Sequence, residues 1–125
     1  MKFRAICENH LYSKAYAKGK RFVTPNIAVY ILPDYAAGRL AKAHPLKLRQ
    51  NRIGLTVSKK LGGAVVRNRT KRILREAYRA ALSVQPIKVG FLIVIAARER
   101  ATAKKSTELV PDLVSAFRKL GMAQL

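Results

Sequence analysis

Acid is what this sequence has least of: Asp plus Glu number 6 against 26 Lys plus Arg, a formal charge of +20 over 125 residues. The acids are Glu8, Asp34, Glu76, Glu99, Glu108 and Asp112, widely scattered, and the histidines are His10 and His44. A protein that cuts nucleic acid unaided needs a carboxylate cluster for metal ions or a histidine pair for acid–base work. Neither pattern is present, nor a His-Asp-Ser order or a metal-ligand spacing, so no catalytic residue and no metal site is expected in the protein itself. Cysteine is nearly absent too. Cys7 stands alone, which leaves no intramolecular disulfide and no thiolate cluster and fits a reducing compartment. No apolar run approaches the roughly 20 residues of a membrane span. The first residues turn polar at Glu8 before any signal-peptide core can form, so the expected location is the cytoplasm.

What is present is enough for a folded domain. Hydrophobic residues make up 50% of the chain, too many for a disordered basic tail. The length favours one domain, residues 1–125, around a single core. A net charge this large costs stability through self-repulsion, so the partner that relieves it should be a polyanion. Nucleic acid leads and an anionic membrane surface follows; solubility alone needs far less charge.

Along the chain, Asn9 can cap a short helix that runs to Lys18 and stops at Gly19. Leu11 and Ala15 share one stripe of it, Tyr12 and Tyr16 a neighbouring one. Residues 26–32 (NIAVYIL) read as a strand ended by Pro33. Its period of two puts Ile27, Val29 and Ile31 on one face and Ala28, Tyr30 and Leu32 on the other. Phe22 and Val23 can add a short pairing before Pro25. The pattern lapses from Asp34 to Asn51, a long basic loop. A second strand follows over 52–58 (RIGLTVS), with Ile53, Leu55 and Val57 facing one way and Gly54, Thr56 and Ser58 the other. Residues 59–63 (KKLGG) turn the chain into a helix over 64–81, whose stripe of Val66, Thr70, Ile73, Leu74, Ala77 and Ala81 should face the core. The apolar run 87–97 (IKVGFLIVIAA), opened by Pro86, suits a strand covered on both sides. A last helix over 107–120 buries Leu109, Leu113, Ala116, Phe117 and Leu120 and ends at Gly121; Pro111 is tolerable only near its first turn. The order gives an α/β sandwich, a sheet of about four strands with helices packed on it.

The chemistry concentrates between Lys59 and Arg75. Lys59, Lys60, Arg67, Arg69, Lys71, Arg72 and Arg75 follow one another with no acid before Glu76. Solvated helices usually alternate charge signs to gain pairs four residues apart. Here Arg67, Lys71 and Arg75 stack like charges, which points to phosphate contact through guanidinium forks, with Asn68 free to bond a base or ribose. Gly62 and Gly63 allow a tight entry into the helix, whose first N–H groups also attract phosphate. The strand face carrying Tyr30, Gly54, Thr56 and Ser58 is a poor core and a reasonable groove. With Tyr12 and Tyr16 it offers three rings on which unpaired bases could stack; by spacing alone the same rings could simply pack the helix to the sheet.

The run from Lys59-Lys60 through Arg67-Asn68-Arg69, Lys71-Arg72 and Arg75, with the strand 52–58 before it, resembles the signature of the bacterial ribonuclease P protein subunit. The likeness extends over most of the chain; the long loop at 34–51 and Pro111 depart from it. The resemblance implies a fold like the second domain of ribosomal protein S5, with a left-handed βαβ crossover against the usual right-handed preference. It implies a non-catalytic protein subunit of a ribonucleoprotein endoribonuclease, whose RNA subunit is the catalyst and holds the Mg²⁺. It also implies that the basic helix meets this RNA, while Tyr12, Tyr16 and Tyr30 line a cleft for the single-stranded 5′ leader of precursor tRNA. No membrane and no protein partner is implied. A structural ribosomal protein would share the charge, and a DNA-architectural protein would too, although no helix-turn-helix pair or minor-groove wedge is recognisable.

Overall fold

The computed structural model describes residues 4–5, 9–33, 51–87 and 90–122. The elements are β1 (Arg4–Ala5), α1 (Asn9–Lys18), β2 (Lys20–Val23), β3 (Ile27–Pro33), β4 (Arg52–Thr56), a 3-10 turn (Lys59–Leu61), α2 (Ala64–Val84), β5 (Phe91–Ala97), a second 3-10 turn (Glu99–Ala103) and α3 (Ser106–Lys119). The sheet order is β1-β4-β5-β3-β2. β4 and β5 are parallel neighbours joined through α2, and β3 runs antiparallel to both β5 and β2. Four strands carry the sheet, and the two-residue β1 adds a parallel pair at the edge of β4. With β5 at the centre, Leu92, Ile93, Val94 and Ile95 are all buried, the both-sided cover that its apolar run requires.

The alternation read from the sequence separates the two faces. Ile27, Val29, Ile31, Ile53, Val57, Ile93 and Ile95 point to one side, where they join the buried stripes of α2 and α3 in one large core. The opposite face holds a small cluster of Ala15, Leu32, Leu92 and Val94, with Tyr12 and Tyr30 packed at its margin. Among the described residues, α1 is the helix packed on that side.

Several boundaries differ from the sequence expectation, each for a local reason. The central strand begins at Phe91, because Gly90 takes a left-handed turn (φ 91°) immediately before it and Ile87 is left as an isolated bridge. Asn9 is the first residue of α1. α2 runs on to Val84; its buried set includes Tyr78, while Val66, assigned to the core stripe, is 38% exposed. Pro111 sits at the sixth position of α3, beyond the first turn, and the helix continues through it to Lys119. Leu120, assigned to the inner face, is only partly buried. Gly121 (φ 75°) then ends the helix: Met122 N–H donates to the Phe117 carbonyl (2.8 Å) and Gly121 N–H to that of Arg118 (3.3 Å). This is the paired bonding of a left-handed cap, and it tucks Met122 into the core. The loop expected at 34–51 lies outside the described residues except for Asn51.

Candidate RNA interface

The strand β4 hands the chain to the basic segment. Ser58 caps the 3-10 turn by accepting from the Lys60 N–H (3.2 Å), which leaves Lys59 and Lys60 exposed. Gly63 then begins α2 with no side-chain cap and no acid in the first turn, so the positive end of the helix dipole faces solvent among cations. Asn68, Arg69, Arg72 and Arg75 are exposed and Lys71 is partly so.

Arg67 departs from the expected fully exposed position. At about 100° per residue it projects between Leu74 and Tyr78, both buried, so its stem is sheltered. Its Nε is buried and finds no hydrogen-bond partner among the described residues. An N–H left in that condition costs free energy until an acceptor reaches the group.

The three tyrosines expected to line a cleft do come together on the open face. Tyr16 and Tyr30 meet edge to face with centroids 4.8 Å apart, a favourable aromatic geometry. Tyr16 Oη lies 3.2 Å from Thr56 Oγ1. Tyr12 lies over Gly54, close enough that its phenol end fills the space where a Cβ would stand. Thr56 and Lys59 are three residues apart, at most about 11 Å of chain, so the aromatic floor and the cationic segment adjoin. A further concavity of about 660 Å³ is lined by Lys14, Lys18 and Lys20 from α1 and β2, by Leu32 and Phe91 from the sheet and by Leu120 just after α3.

Sequence reasoning missed a clamp that fixes this frame. The Asp112 carboxylate accepts from Thr24 Oγ1 (3.0 Å) and Asn26 Nδ2 (2.8 Å), and Arg98 Nη1 donates to the Thr24 carbonyl (2.9 Å). The turn between β2 and β3 is thereby tied to α3 and to the end of β5. Only the coincidence of Thr24, Asn26 and a lone Asp could have hinted at it.

A sheet with α2 and α3 packed on one face, tyrosines gathered on the other and a cationic helix beside them defines a basic, single-sheet domain of the α/β class. Comparison makes this specific. The family model for ribonuclease P matches residues 1–121. Ribonuclease P protein components from Clostridium acetobutylicum (33% identical, covering 98% of this chain and 92% of that one) and Clostridioides difficile (35%, 82% of each) are similar along most of their length. The solved Staphylococcus aureus RNase P protein superposes with a TM-score of 0.72 at 25% identity, covering 98% of this chain and 100% of that one. That of Thermotoga maritima shares the fold, with a TM-score of 0.68 at 21% identity over 90% and 93%. The chain belongs to the ribonuclease P protein family, the protein components of a tRNA-processing ribonucleoprotein endoribonuclease in which the partner is an RNA subunit. Among the described residues no helix is long and apolar enough to cross a membrane.

Proposed function

We propose that residues 1–125 act as one RNA-binding domain with two adjoining contact surfaces. The turn and helix bearing Lys59, Lys60, Arg67, Asn68, Arg69, Lys71, Arg72 and Arg75 grip the catalytic RNA. The cleft of Tyr12, Tyr16 and Tyr30 receives the single-stranded 5′ leader of precursor tRNA. The observation that carries this reading is the adjacency of the two surfaces: β4 supplies the floor beneath the rings and leads within three residues into the cationic segment.

The chemistry follows from charge and stacking. Two large RNAs repel through their phosphates, and a protein of +20 placed between them offsets that repulsion, so productive binding needs less Mg²⁺. The sheltered Arg67 Nε gains an acceptor when a phosphate oxygen reaches its guanidinium. Leader contacts add affinity for the precursor over the mature product, because mature tRNA has no leader to stack. The Mg²⁺ that supports cleavage is assigned to the RNA subunit, the catalyst that the family resemblance implies.

The test is cleavage of a 5′-extended precursor tRNA at low Mg²⁺ by a bacterial ribonuclease P RNA, with and without the protein. Stimulation that requires the RNA and is lost with Arg67→Ala plus Arg69→Ala is the expected result. Tight binding to ribosomal RNA without stimulation would instead favour a structural ribosomal role. With about five phosphate contacts, log affinity for single-stranded RNA against log salt should fall with a slope near −3 to −4; a slope near zero would refute phosphate contact as the basis of binding.

A further inference from the structure

Among the described glycines, Gly19, Gly54 and Gly62 are crowded, Gly62 by the Val66 side chain, and the first two are crowded differently. A Cβ at Gly19 would meet the Ala15 and Ile31 carbonyl oxygens at 2.5 and 2.8 Å, backbone atoms that cannot yield without moving α1 or β3. The three atoms nearest a Cβ at Gly54 all belong to Tyr12: Cε1 at 2.5 Å, Oη at 2.6 Å and Cζ at 2.7 Å. All three atoms are the far end of a side chain that can swing away. Gly54 is also absent from the residues with positive φ, so its backbone conformation does not demand glycine. Space for the Tyr12 ring does.

We infer that Gly54 is the positioning residue of the aromatic cleft, a vacancy in β4 that seats the Tyr12 ring at the depth of the sheet backbone. The inference rests on the leader reading above and adds to it which residue shapes the site. β4 presents Gly54 and Thr56 to the same side. Gly54 holds one ring by leaving room for it, and Thr56 holds the next by its contact with the Tyr16 hydroxyl (3.2 Å). Sunk this far, Tyr12 packs beside the small cluster of Ala15, Leu32, Leu92 and Val94 and leaves the path over Tyr16 and Tyr30 clear for a strand. Any side chain at position 54 evicts the ring upward into that path. The consequence is a selective loss: leader discrimination falls while the cationic helix, on the far side of the turn, keeps its hold on the RNA subunit.

The experiment uses the holoenzyme reconstituted with a bacterial ribonuclease P RNA. It compares Gly54→Ala, Tyr12→Ala and the double variant by the ratio of affinities for 5′-extended and mature tRNA. Gly54→Ala should lower that ratio at least about fivefold, the loss of roughly one stacked base, with affinity for the RNA subunit unchanged within about twofold. Tyr12→Ala should lower it as well, and the double variant should be no worse than Tyr12→Ala, because the ring that the new methyl would displace is then gone. An unchanged ratio in Gly54→Ala overturns the proposal, as does a loss that adds to that of Tyr12→Ala. If Tyr12→Ala itself leaves the ratio intact, the leader reading fails. The seat is then judged separately from the tyrosine ring resonances of the free protein. Movement of the Tyr12 signal in Gly54→Ala, larger than that of Tyr30, upholds the seat, and its absence refutes it. Should Gly54→Ala fail to fold, recovery of folding in the double variant supports a clash with the ring, and failure of both variants refutes it.

Discussion

The two faces of the sheet use the same strands for opposite purposes. One face is closed by α2 and α3 over a continuous apolar layer that includes Leu74, Leu113 and Phe117, each fully buried. Among the described residues, the other is covered by α1 and holds the small cluster of Ala15, Leu32, Leu92 and Val94, three tyrosines and a strand edge of glycine and threonine. Apolar burial stabilises at about 25 cal/mol per Å², so the closed face carries most of the fold's stability. The smaller cluster on the other side contributes less to it, and it is there that leader binding is proposed. Separation of this kind allows the cleft to be altered without unfolding the domain.

The largest effect should come from the closed face. Phe117 is fully buried and meets Tyr78 edge to face at 6.1 Å, so Phe117→Ala should destabilise by about 3–5 kcal/mol in denaturant unfolding. Tyr30→Ala, removing a half-buried ring from the open face, should cost less than half as much. Equal losses would mean that the open face is core after all.

Tyr78 gives the next largest, a pH effect confined to the closed face. Burial pushes its phenol up from 10.0 to about 12, partly opposed by a side-chain hydrogen bond with Asn51. The folded state therefore holds the proton more tightly than the unfolded chain. The stability is present below about pH 10 and is lost as pH rises through about 12, on the order of 2 kcal/mol. Other groups titrate in that range, so the measurement is the difference between wild type and Tyr78→Phe at pH 9 and pH 11.5. The gap should narrow at the higher pH, and a constant gap would show that Tyr78 ionises without resistance.

Smaller again is the clamp. Asp112→Ala leaves Thr24 Oγ1 and Asn26 Nδ2 without the carboxylate oxygen that both now share. Part-buried bonds to a charged group support a loss of about 1–2 kcal/mol, read by thermal unfolding. Leader discrimination should change little, because the turn lies at the start of β3, three residues or more from Tyr30, and Tyr12 and Tyr16 meet β4 at Gly54 and Thr56.

Much of this division was legible in the sequence. Period-two alternation in 27–32 and 52–58 assigned both faces correctly, because a strand's side chains have only two directions to take. Spacing put Tyr12 and Tyr16 on one stripe of α1 and Tyr30 on one face of β3, and left open whether the three rings form a cleft or merely pack the helix; the cleft came from the family resemblance. Positions at the margin of a helical stripe were less legible. Arg67 and Tyr78 both lie at the edge of the α2 arc, where the neighbouring elements decide which side chain is covered. Asp112 was unreadable for another reason: its partners Thr24 and Asn26 are 88 and 86 residues away, and no local pattern encodes a contact of that span. Gly54 was placed on the groove face, but spacing cannot show that a ring from another element occupies the missing Cβ.

The smallest expected effect tests the open face most sharply. Tyr16 is 43% exposed, and its hydroxyl meets Thr56 Oγ1 at 3.2 Å. Water can replace either partner at such a site, so the bond contributes little net stability. The ring keeps its edge contact with Tyr30 at 4.8 Å when the oxygen is removed. Tyr16→Phe should therefore shift unfolding free energy by no more than about 0.5 kcal/mol. Its preference for leader-bearing tRNA should change by no more than about threefold, since a phenyl face stacks on a base as a phenol does. Tyr16→Ala, by contrast, removes the stacking surface and should lose that preference about tenfold at little further cost in stability. If Tyr16→Phe instead cost more than about 1.5 kcal/mol, beyond what one neutral exposed hydrogen bond supplies, the rings would be structural props of α1. The open face would then be a thinner version of the closed one.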